Sequence, residues 1–240
     1  MLEREGKTWN KIMSILRIVA TPIGNLEDIT LRAIRTLKES DFVLCEDTRV
    51  TRKLLDHYEI KTPTISYHQH SGDLKIDKIF SLLSDGKNLA LVTDAGTPGI
   101  SDPGGKLVSL VRQEFGKDVL IESIPGVSAI GAAISIAGAG FDRFLFLGFL
   151  PHKKGRQTML REVLASEHSV VFYESKHRIV KLLEELELVR GKVELKVMVA
   201  RELTKMFESF YTGTALSVLK EIQSEPNNLK GEFVVLIKKD

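Results

Sequence analysis

The chain has 240 residues, of which 43% are hydrophobic and 28% charged, the composition of a soluble globular protein that can bury the core of one large domain or two ordinary ones. Its formal net charge of +2 permits an anionic partner without requiring one. The single cysteine, Cys45, excludes an intramolecular disulfide and a multi-cysteine zinc site, and it fits a reducing cytoplasm.

The first half of the chain has an alternating β and α pattern. Residues 1–15 contain Glu3 and Glu5 and no apolar core long enough for a signal peptide, so we interpret them as a loose N-terminal extension. Five β-branched runs then predict strands: LRIVA, DFVLC, TISYH, NLALVTD and VLIES. Because amphipathic segments separate these runs, we expect βαβ units and a mostly parallel sheet.

The second half is again rich in strand-like runs: RFLFLGF, SVVFYES, KVELKVMVA, SFYTG and EFVVLIKK. Only a short polar link separates ELKVMVA from SFYTG, which predicts an antiparallel pair and therefore a mixed sheet. The apolar stretch from Val127 to Gly140 is too short for a membrane span and predicts a buried helix. We therefore predict an α/β protein of two α/β domains, residues 16–139 and residues 140–240.

Glycines and prolines concentrate where the predicted strands end. The four segments are ATPIGN (20–25), DAGTPGISDPGG (94–105), IPGVSA (124–129) and GFLP (148–151). Ligands of open α/β sheets bind beyond the carboxyl ends of the strands. The four segments therefore predict a ligand-binding cleft.

The segment 94–105 carries four glycines, two prolines and two aspartates, which is more special backbone than a simple connection needs. It is not a P-loop, because Ile100 and Leu107 stand where that motif requires glycine and a hydroxyl residue. Nor does the chain have a dinucleotide-binding fingerprint, since in GAGFDR the third glycine is replaced by Arg143. Asp94 and Asp102 would repel phosphate, so the segment favours a cationic or hydroxyl-rich ligand; a pair of tight turns is the alternative.

Several long motifs in one order resemble the tetrapyrrole methylase family, and within it the branch that methylates small-subunit ribosomal RNA. They are TPIGNLEDITLRAIRTLKESDFVLCEDTRVTRKLL, SYHQH, VTDAGTPGISDPG, GFLP, FYESKHR, ARELTK and GEFVVLI. The resemblance implies two α/β domains with S-adenosyl-L-methionine (SAM) in the cleft between them, usually in a homodimer. It also implies methyl transfer to the ribose 2′-hydroxyl of a cytidine in the decoding centre of 16S RNA.

The resemblance also implies which residues contact the cofactor. Carried onto this sequence, they are Pro22, Gly24, Asp94, Ala95, Gly96, Thr97, Pro98, Ile100, Ser101, Asp102, Pro125, Gly126, Ser128, Ala129, Phe149, Leu150, Arg201, Glu202, Leu203 and Thr204. An alternative for the last group is an ion-pair network of Arg201, Glu202 and Lys205 at a strand end.

A ribose hydroxyl is a poor nucleophile until its proton is withdrawn, so a nearby base or positive group should assist. Arg49, His68 and His70 are the catalytic candidates, with Arg49 positioning a phosphate and one histidine near the hydroxyl. In a strand, both histidines would face one side, where RNA contact or, less favoured, metal binding are alternatives. For the CEDTR segment, the alternative is a helix start in which Asp47 or Thr48 caps and Arg49 pairs with Glu46.

Two basic clusters are candidates for RNA contact, and solvated helix starts are the alternative for both. The predicted substrate-binding residues are Glu46, Asp47, Arg52, Lys53, Lys153, Lys154 and Arg156. Two other functions stay open at this point: methylation of a tetrapyrrole precursor, and a regulatory nucleotide-binding module that is not an enzyme.

Overall fold

The computed structural model describes residues 14–68 and 72–239. These form two compact units. The first comprises the described residues up to Pro22 together with Leu26–Val127, and the second comprises Ile23–Asn25 and the chain from Ser128 onwards. The first strand begins at Ser14, so the predicted extension overlaps it by its last residues. The rest of that extension lies outside the described residues.

The first unit is a parallel sheet with helices on both faces. Its elements are β1 (Ser14–Val19), α1 (Leu31–Glu39), β2 (Phe42–Cys45), α2 (Thr48–His57), β3 (Thr64–Ser66), α3 (Asp73–Ser84), β4 (Leu89–Leu91), α4 (Gly104–Phe115) and β5 (Val119–Ile124). The strand order is β3-β2-β4-β1-β5, and every described pair is parallel. The prediction of a mostly parallel sheet is therefore confirmed.

Two apolar clusters hold the three layers of the first unit together. On one face, Ala33 and Leu37 of α1 and Leu55 of α2 pack against the strands. On the other face, the buried side chains come from α3 and α4, among them Ile79 and Leu107. Burial of such a side chain stabilises the fold by about 1.5–3 kcal/mol. The connections through α1 and α2 run along the sheet towards β3, and those through α3 and α4 run towards β5. Because such connections are right-handed, the two helix pairs lie on opposite faces of the sheet.

The neighbouring strands β1 and β4 mark a topological switch point. The connection from β1 runs through α1 towards β2, whereas the connection from β4 runs through α4 towards β5 on the opposite side. The two loops therefore leave the same sheet edge towards opposite faces of the sheet. This is the position where open α/β sheets bind ligands.

The second unit is a mixed sheet. Its elements are α5 (Ala129–Ala137), β6 (Phe144–Phe149), α6 (Arg156–Ala165), β7 (Ser169–Ser175), α7 (Ile179–Val189), β8 (Leu195–Arg201), β9 (Ser209–Gly213), α8 (Ala215–Gln223) and β10 (Glu232–Lys239). In the order β6-β7-β10-β8-β9, only β6 and β7 run parallel. The predicted antiparallel pair, now β8 and β9, and the predicted mixed sheet are confirmed.

The core of the second unit forms where α6, α7 and α8 cover the sheet. Leu160, Leu183 and Ile222, one from each helix, are fully buried among Phe172, Val199 and other strand residues. Helix α5, which we predicted to lie buried and assigned to the first domain, contacts β10 of the second unit. It keeps Ile136 46% exposed. Among the described residues, no helix has the length and apolarity required to cross a membrane.

Candidate functional site

The loops after β1 and β4 are joined by main-chain hydrogen bonds. The N–H of Thr21 donates to the carbonyl of Gly96 at 2.9 Å, and the N–H of Gly96 donates to the carbonyl of Thr21 at 3.0 Å. The buried hydroxyl of Thr21 donates to the carbonyl of Thr93 at 3.3 Å. These contacts fix the two loops at the switch point. Sequence reasoning missed Thr21. The only sequence feature that indicates its role is the position of this hydroxyl residue directly after a buried strand.

Asp102 organises the rest of the glycine-rich loop. Its carboxylate accepts from the N–H groups of Gly99 at 2.8 Å, Ile100 at 3.1 Å and Gly104 at 2.7 Å. Ser101 has a φ of +64° inside this turn, a conformation that needs such support. We predicted that Asp102 offers charge to a ligand, but its oxygens are engaged by the loop itself. Position 104 is glycine because a Cβ there would lie 2.8 Å from the carboxylate.

The residues after β2 contact the loop after β4. The hydroxyl of Thr93 donates to the carboxylate of Glu46, and the N–H of Asp47 donates to the carboxylate of Asp94 at 3.1 Å. Asp94 and Ala95 are exposed at this position. The structure thus brings Glu46, Asp47 and Asp94 together at one edge of the sheet.

Asp47 caps α2 and pairs with Arg49. Its carboxylate accepts from the N–H of Arg49 at 2.8 Å and from the guanidinium at 2.7 Å. The hydrogen bonds from Arg49 lower the pKa of Asp47 to about 2. The alternative of a capped helix start is confirmed, but Arg49 pairs with Asp47 and not with Glu46. The Arg49 side chain, in the first turn of α2, is 88% exposed and therefore accessible to a phosphate.

β3 ends at Ser66, so His68 lies outside that strand. The alternation argument, which needed both histidines in one strand, therefore does not apply. His68 is half-buried, and its catalytic role stays a prediction. His70 lies outside the described residues.

The loop after β5 is tied to the glycine-rich loop. The hydroxyl of Thr97 donates to the carbonyl of Val127 at 2.9 Å. Pro125 and Gly126 are exposed, and a Cβ at Gly126 would approach the Cβ of Ala20 to 3.0 Å. The glycine at position 126 lets the loops after β1 and β5 lie close together.

In the second unit, Gly24 lies against Lys205. A Cβ at position 24 would meet the aliphatic stem of Lys205, and the N–H of Asn25 donates to the hydroxyl of Thr204 at 3.1 Å. The sequence predicts that ATPIGN lines a ligand-binding cleft. The space beside Gly24 is instead filled by Lys205, and Pro22 is buried.

The segment 200–204 at the end of β8 is built around Arg201. This side chain is 5% exposed and donates to the carbonyls of Lys230 at 2.8 Å, Phe207 at 2.9 Å and Asn227 at 2.7 Å. Its guanidinium therefore shapes the backbone, which corrects the prediction of a side-chain contact with the cofactor. Leu203 is also buried, with 8% exposure.

Glu202 and Thr204 adopt φ values of +49° and +65°. Glu202 pairs with Lys205 at 2.9 Å and accepts from the N–H of Glu232 at 3.0 Å. Partial burial opposes ionisation of Glu202, but these hydrogen bonds outweigh it and lower its pKa. The predicted ion-pair alternative therefore holds for Glu202 and Lys205, while Arg201 binds carbonyls.

The segment after β6 is held by a buried charge network. Arg178 donates to the carbonyl of Leu150 at 2.8 Å, and Arg156 donates to the carbonyl of Pro151 at 3.3 Å. Both arginines pair with the fully buried Glu174, and Arg156 also pairs with Glu185 at 2.7 Å. Sequence reasoning missed Glu174 and Arg178, because a spacing of four residues indicates a charge pair only within one helix, whereas Glu174 lies in β7 and Arg178 precedes α7.

Two predicted contact residues of this segment are corrected by their burial. Arg156 is 3% exposed and engaged in the network, so it does not offer its charge to RNA. Leu150 is 1% exposed and belongs to the apolar core, so its side chain does not reach a cofactor. In contrast, Lys153 and Lys154 are exposed, as RNA contact requires.

The exposed groups of the first unit fit a ligand with both positive charge and hydrogen-bonding groups. Ala95, Gly99, Pro125 and Gly126 are exposed residues with little or no side chain or a proline ring, and Asp94 next to Ala95 is also exposed. Bare main chain and a carboxylate suit the ammonium, the sulfonium and the ribose hydroxyls of SAM.

The family model for Tetrapyrrole (Corrin/Porphyrin) Methylases matches residues 16–218. This chain belongs to the tetrapyrrole methylase family. A relative named Ribosomal RNA small subunit methyltransferase I, from Synechocystis sp., is 43% identical over 226 residues, which are 94% of this chain and 79% of the relative.

Solved structures of tetrapyrrole methylases share the fold of this chain. Cobalt precorrin-4 methyltransferase, a cobalamin biosynthetic enzyme, has a TM-score of 0.65 at 17% identity and covers 94% of both chains. Uroporphyrin-III C-methyltransferase from Thermus thermophilus, solved with S-adenosylhomocysteine, has a TM-score of 0.63 at 18% identity, covering 93% of this chain and 96% of its own. At these identities the likeness shows the fold alone.

We expect Glu174→Gln to destabilise the second unit by about 3 kcal/mol, because two buried arginines lose their shared counter-charge. Chemical denaturation measures the change. Glu187→Gln is the matched control, since Glu187 pairs with Arg190 at 2.6 Å with both side chains partly exposed, and it should cost less than about 1 kcal/mol. Equal effects of the two substitutions would contradict the special role of Glu174.

We expect Arg49→Ala to raise the pKa of Asp47 from about 2 towards its ordinary value of 3.8. The main-chain N–H at position 49 still donates, so the pKa should stay below that value. Because folding lowers this pKa, the stabilisation is present above the unfolded pKa and is lost as the pH falls towards 2. NMR titration of the carboxyl carbon measures it, with Lys53→Ala as control; an unchanged Asp47 titration in Arg49→Ala would refute the pairing.

Proposed function

We propose that this protein is a SAM-dependent methyltransferase that acts on small-subunit ribosomal RNA, on the ribose 2′-hydroxyl of a cytidine in the 16S decoding centre. The observation that carries the proposal is the 43% identity, over 94% of the chain, with a relative named for this RNA. The exposed main chain and carboxylate of the first unit support the cofactor, and the exposed lysines of the second unit support the RNA.

The chain's own residues bind and orient the cofactor. SAM, when bound, supplies a methyl group on a positively charged sulfur. Asp94 and the open main chain of Ala95, Gly99 and Gly126 are the groups that would hold it in the first unit. The other predicted cofactor residues, except the side chains of Asp102, Phe149, Leu150, Arg201 and Leu203, remain part of the proposal. Alignment of the hydroxyl with the methyl group is then the main contribution to rate.

The RNA contacts proposed here depend on exposed cations. Arg49, Arg52, Lys53, Lys153 and Lys154 are all exposed, which suits contacts with phosphates. We infer that Arg49 positions a phosphate and that His68 or His70 lies near the reacting hydroxyl as a base. A homodimer and a cytoplasmic site of action complete the proposal; the buried, unpaired thiol of Cys45 is compatible with a reducing compartment.

Methylation of a tetrapyrrole precursor is the alternative, favoured by the names of the structural neighbours. Those neighbours are only 17–18% identical and therefore inform the fold and not the substrate. The relative that is 43% identical over 94% of this chain is named for ribosomal RNA, so the sequence comparison favours RNA.

The proposed activity predicts methyl transfer from labelled SAM to ribosomal RNA of cells that lack this gene. We expect label in the small-subunit RNA and one ribose-methylated cytidine, located by mass spectrometry of nuclease fragments. Free RNA and assembled subunits are tested in parallel, and uroporphyrinogen serves as the alternative acceptor. Label only in the tetrapyrrole would overturn the RNA assignment, and absence of SAM binding would overturn the enzyme.

We expect Asp102→Ala to weaken SAM binding about tenfold, because the loop from Gly99 to Gly104 loses its internal acceptor and must be ordered by the ligand. A tenfold loss corresponds to about 1.4 kcal/mol. Calorimetric titration measures it. Asp118→Ala, in an exposed turn before β5, is the matched control. Unchanged affinity in Asp102→Ala would show that this loop is not part of the cofactor site.

A further inference from the structure

Phe149 is an exposed aromatic residue at the end of β6. It is 53% exposed, although β6 pairs with β7. The pairing of these strands shifts its register between Phe146 and Phe149, and Gly148 between them has a φ of +62°. Such a bulge changes the direction of the side chain that follows it. The backbone thus places a large apolar ring in solvent, where it contributes little to the core.

The support of this ring is rigid. Its neighbour Tyr173 contacts it with ring centroids 5.4 Å apart. The next two carbonyls, of Leu150 and Pro151, are held by Arg178 and Arg156. A ring on a fixed backbone has few conformations to lose when it binds a ligand, so the cost of binding in conformational entropy is small.

The residues that follow Phe149 add positive charge. Lys153 and Lys154 are exposed, and neither makes an ion pair within the described residues. An aromatic ring together with unpaired cations is the combination that binds nucleotides of single-stranded RNA, through stacking on the base and attraction of the phosphates. SAM also carries a base, adenine, but it has no phosphate for these lysines.

We propose that the ring of Phe149, in place of the cofactor contact that the resemblance implies, is a stacking platform for an unpaired base of the RNA substrate, and that Lys153 and Lys154 bind the phosphates next to that base. This proposal rests on the proposed function and specifies how the RNA is held. Stacking on an aromatic ring tolerates any base, so the platform adds affinity for an unstacked strand without selecting its sequence.

The test compares Phe149→Ala with Phe144→Ala, which removes an aromatic ring that is 40% exposed at the other end of β6. The probe is unmethylated small-subunit RNA, titrated against the full-length protein, with SAM titrated separately. We expect Phe149→Ala to raise the Kd for RNA about 5- to 150-fold, which corresponds to one stacked base. Phe149→Tyr should stay close to the unsubstituted protein, and Phe144→Ala should change neither affinity.

Each other outcome overturns the platform. A loss of SAM affinity at unchanged RNA affinity would assign the ring to adenine. Equal losses of RNA affinity in Phe149→Ala and Phe144→Ala, with unchanged thermal unfolding of both variants, would show that the Phe149 ring has no special role in RNA binding. Retained RNA affinity in Phe149→Ala would refute stacking while leaving the proposed function intact. Absence of both RNA binding and methyl transfer in the unsubstituted protein would refute the proposed function and the platform together.

Discussion

The two main-chain hydrogen bonds between Thr21 and Gly96 determine the shape of the candidate site in the first unit. The loops after β1 and β4 start from neighbouring strands and continue to opposite faces of the sheet, so nothing else in the topology keeps them together. Once they are joined, the hydroxyl of Thr97 can reach the carbonyl of Val127 and attach the loop after β5. The main chain around the switch point is therefore held by hydrogen bonds between its own loops.

Many charged residues of the motifs stabilise loops and do not face a ligand. Asp102 accepts from main-chain N–H groups, Arg201 donates to carbonyls, and Glu174 holds two arginines. A buried charge is tolerated only when it is paired and hydrogen-bonded, because leaving water costs several kcal/mol per ion (about 20 in the idealised limit). Arg201 and Glu174 are the buried charges among these groups, and they meet that condition through loop carbonyls and partner charges. Asp102 is partly exposed and is hydrogen-bonded to its own loop. The glycines and prolines supply the loop conformations, and the buried charges hold them in place.

Local patterns in the sequence predicted the strands and the kinds of sheet, and they failed where an assignment depends on distant contacts. The β-branched runs predicted the strands, and the intervening amphipathic segments predicted the parallel sheet. Arg156 follows Lys153 and Lys154 in one basic cluster, yet α6 begins at Arg156 and turns it towards Glu174 and Glu185. Those partners are 18 and 29 residues away, so no periodicity reveals them. The assignment of α5 to the second unit likewise depends on β10, far along the chain.

Strained backbone conformations occur in the loops that are proposed to hold the cofactor. Among the described residues, four non-glycine residues have a positive φ, and Ser101, Glu202 and Thr204 are three of them. All three lie in segments that the sequence assigned to the cofactor. Such conformations cost about 1–3 kcal/mol each and persist only where surrounding contacts impose them. Methyl transfer depends mainly on alignment, since the reactive group is already activated on the cofactor. Strained loops held by Asp102 and Lys205 are the kind of preorganised support that alignment requires.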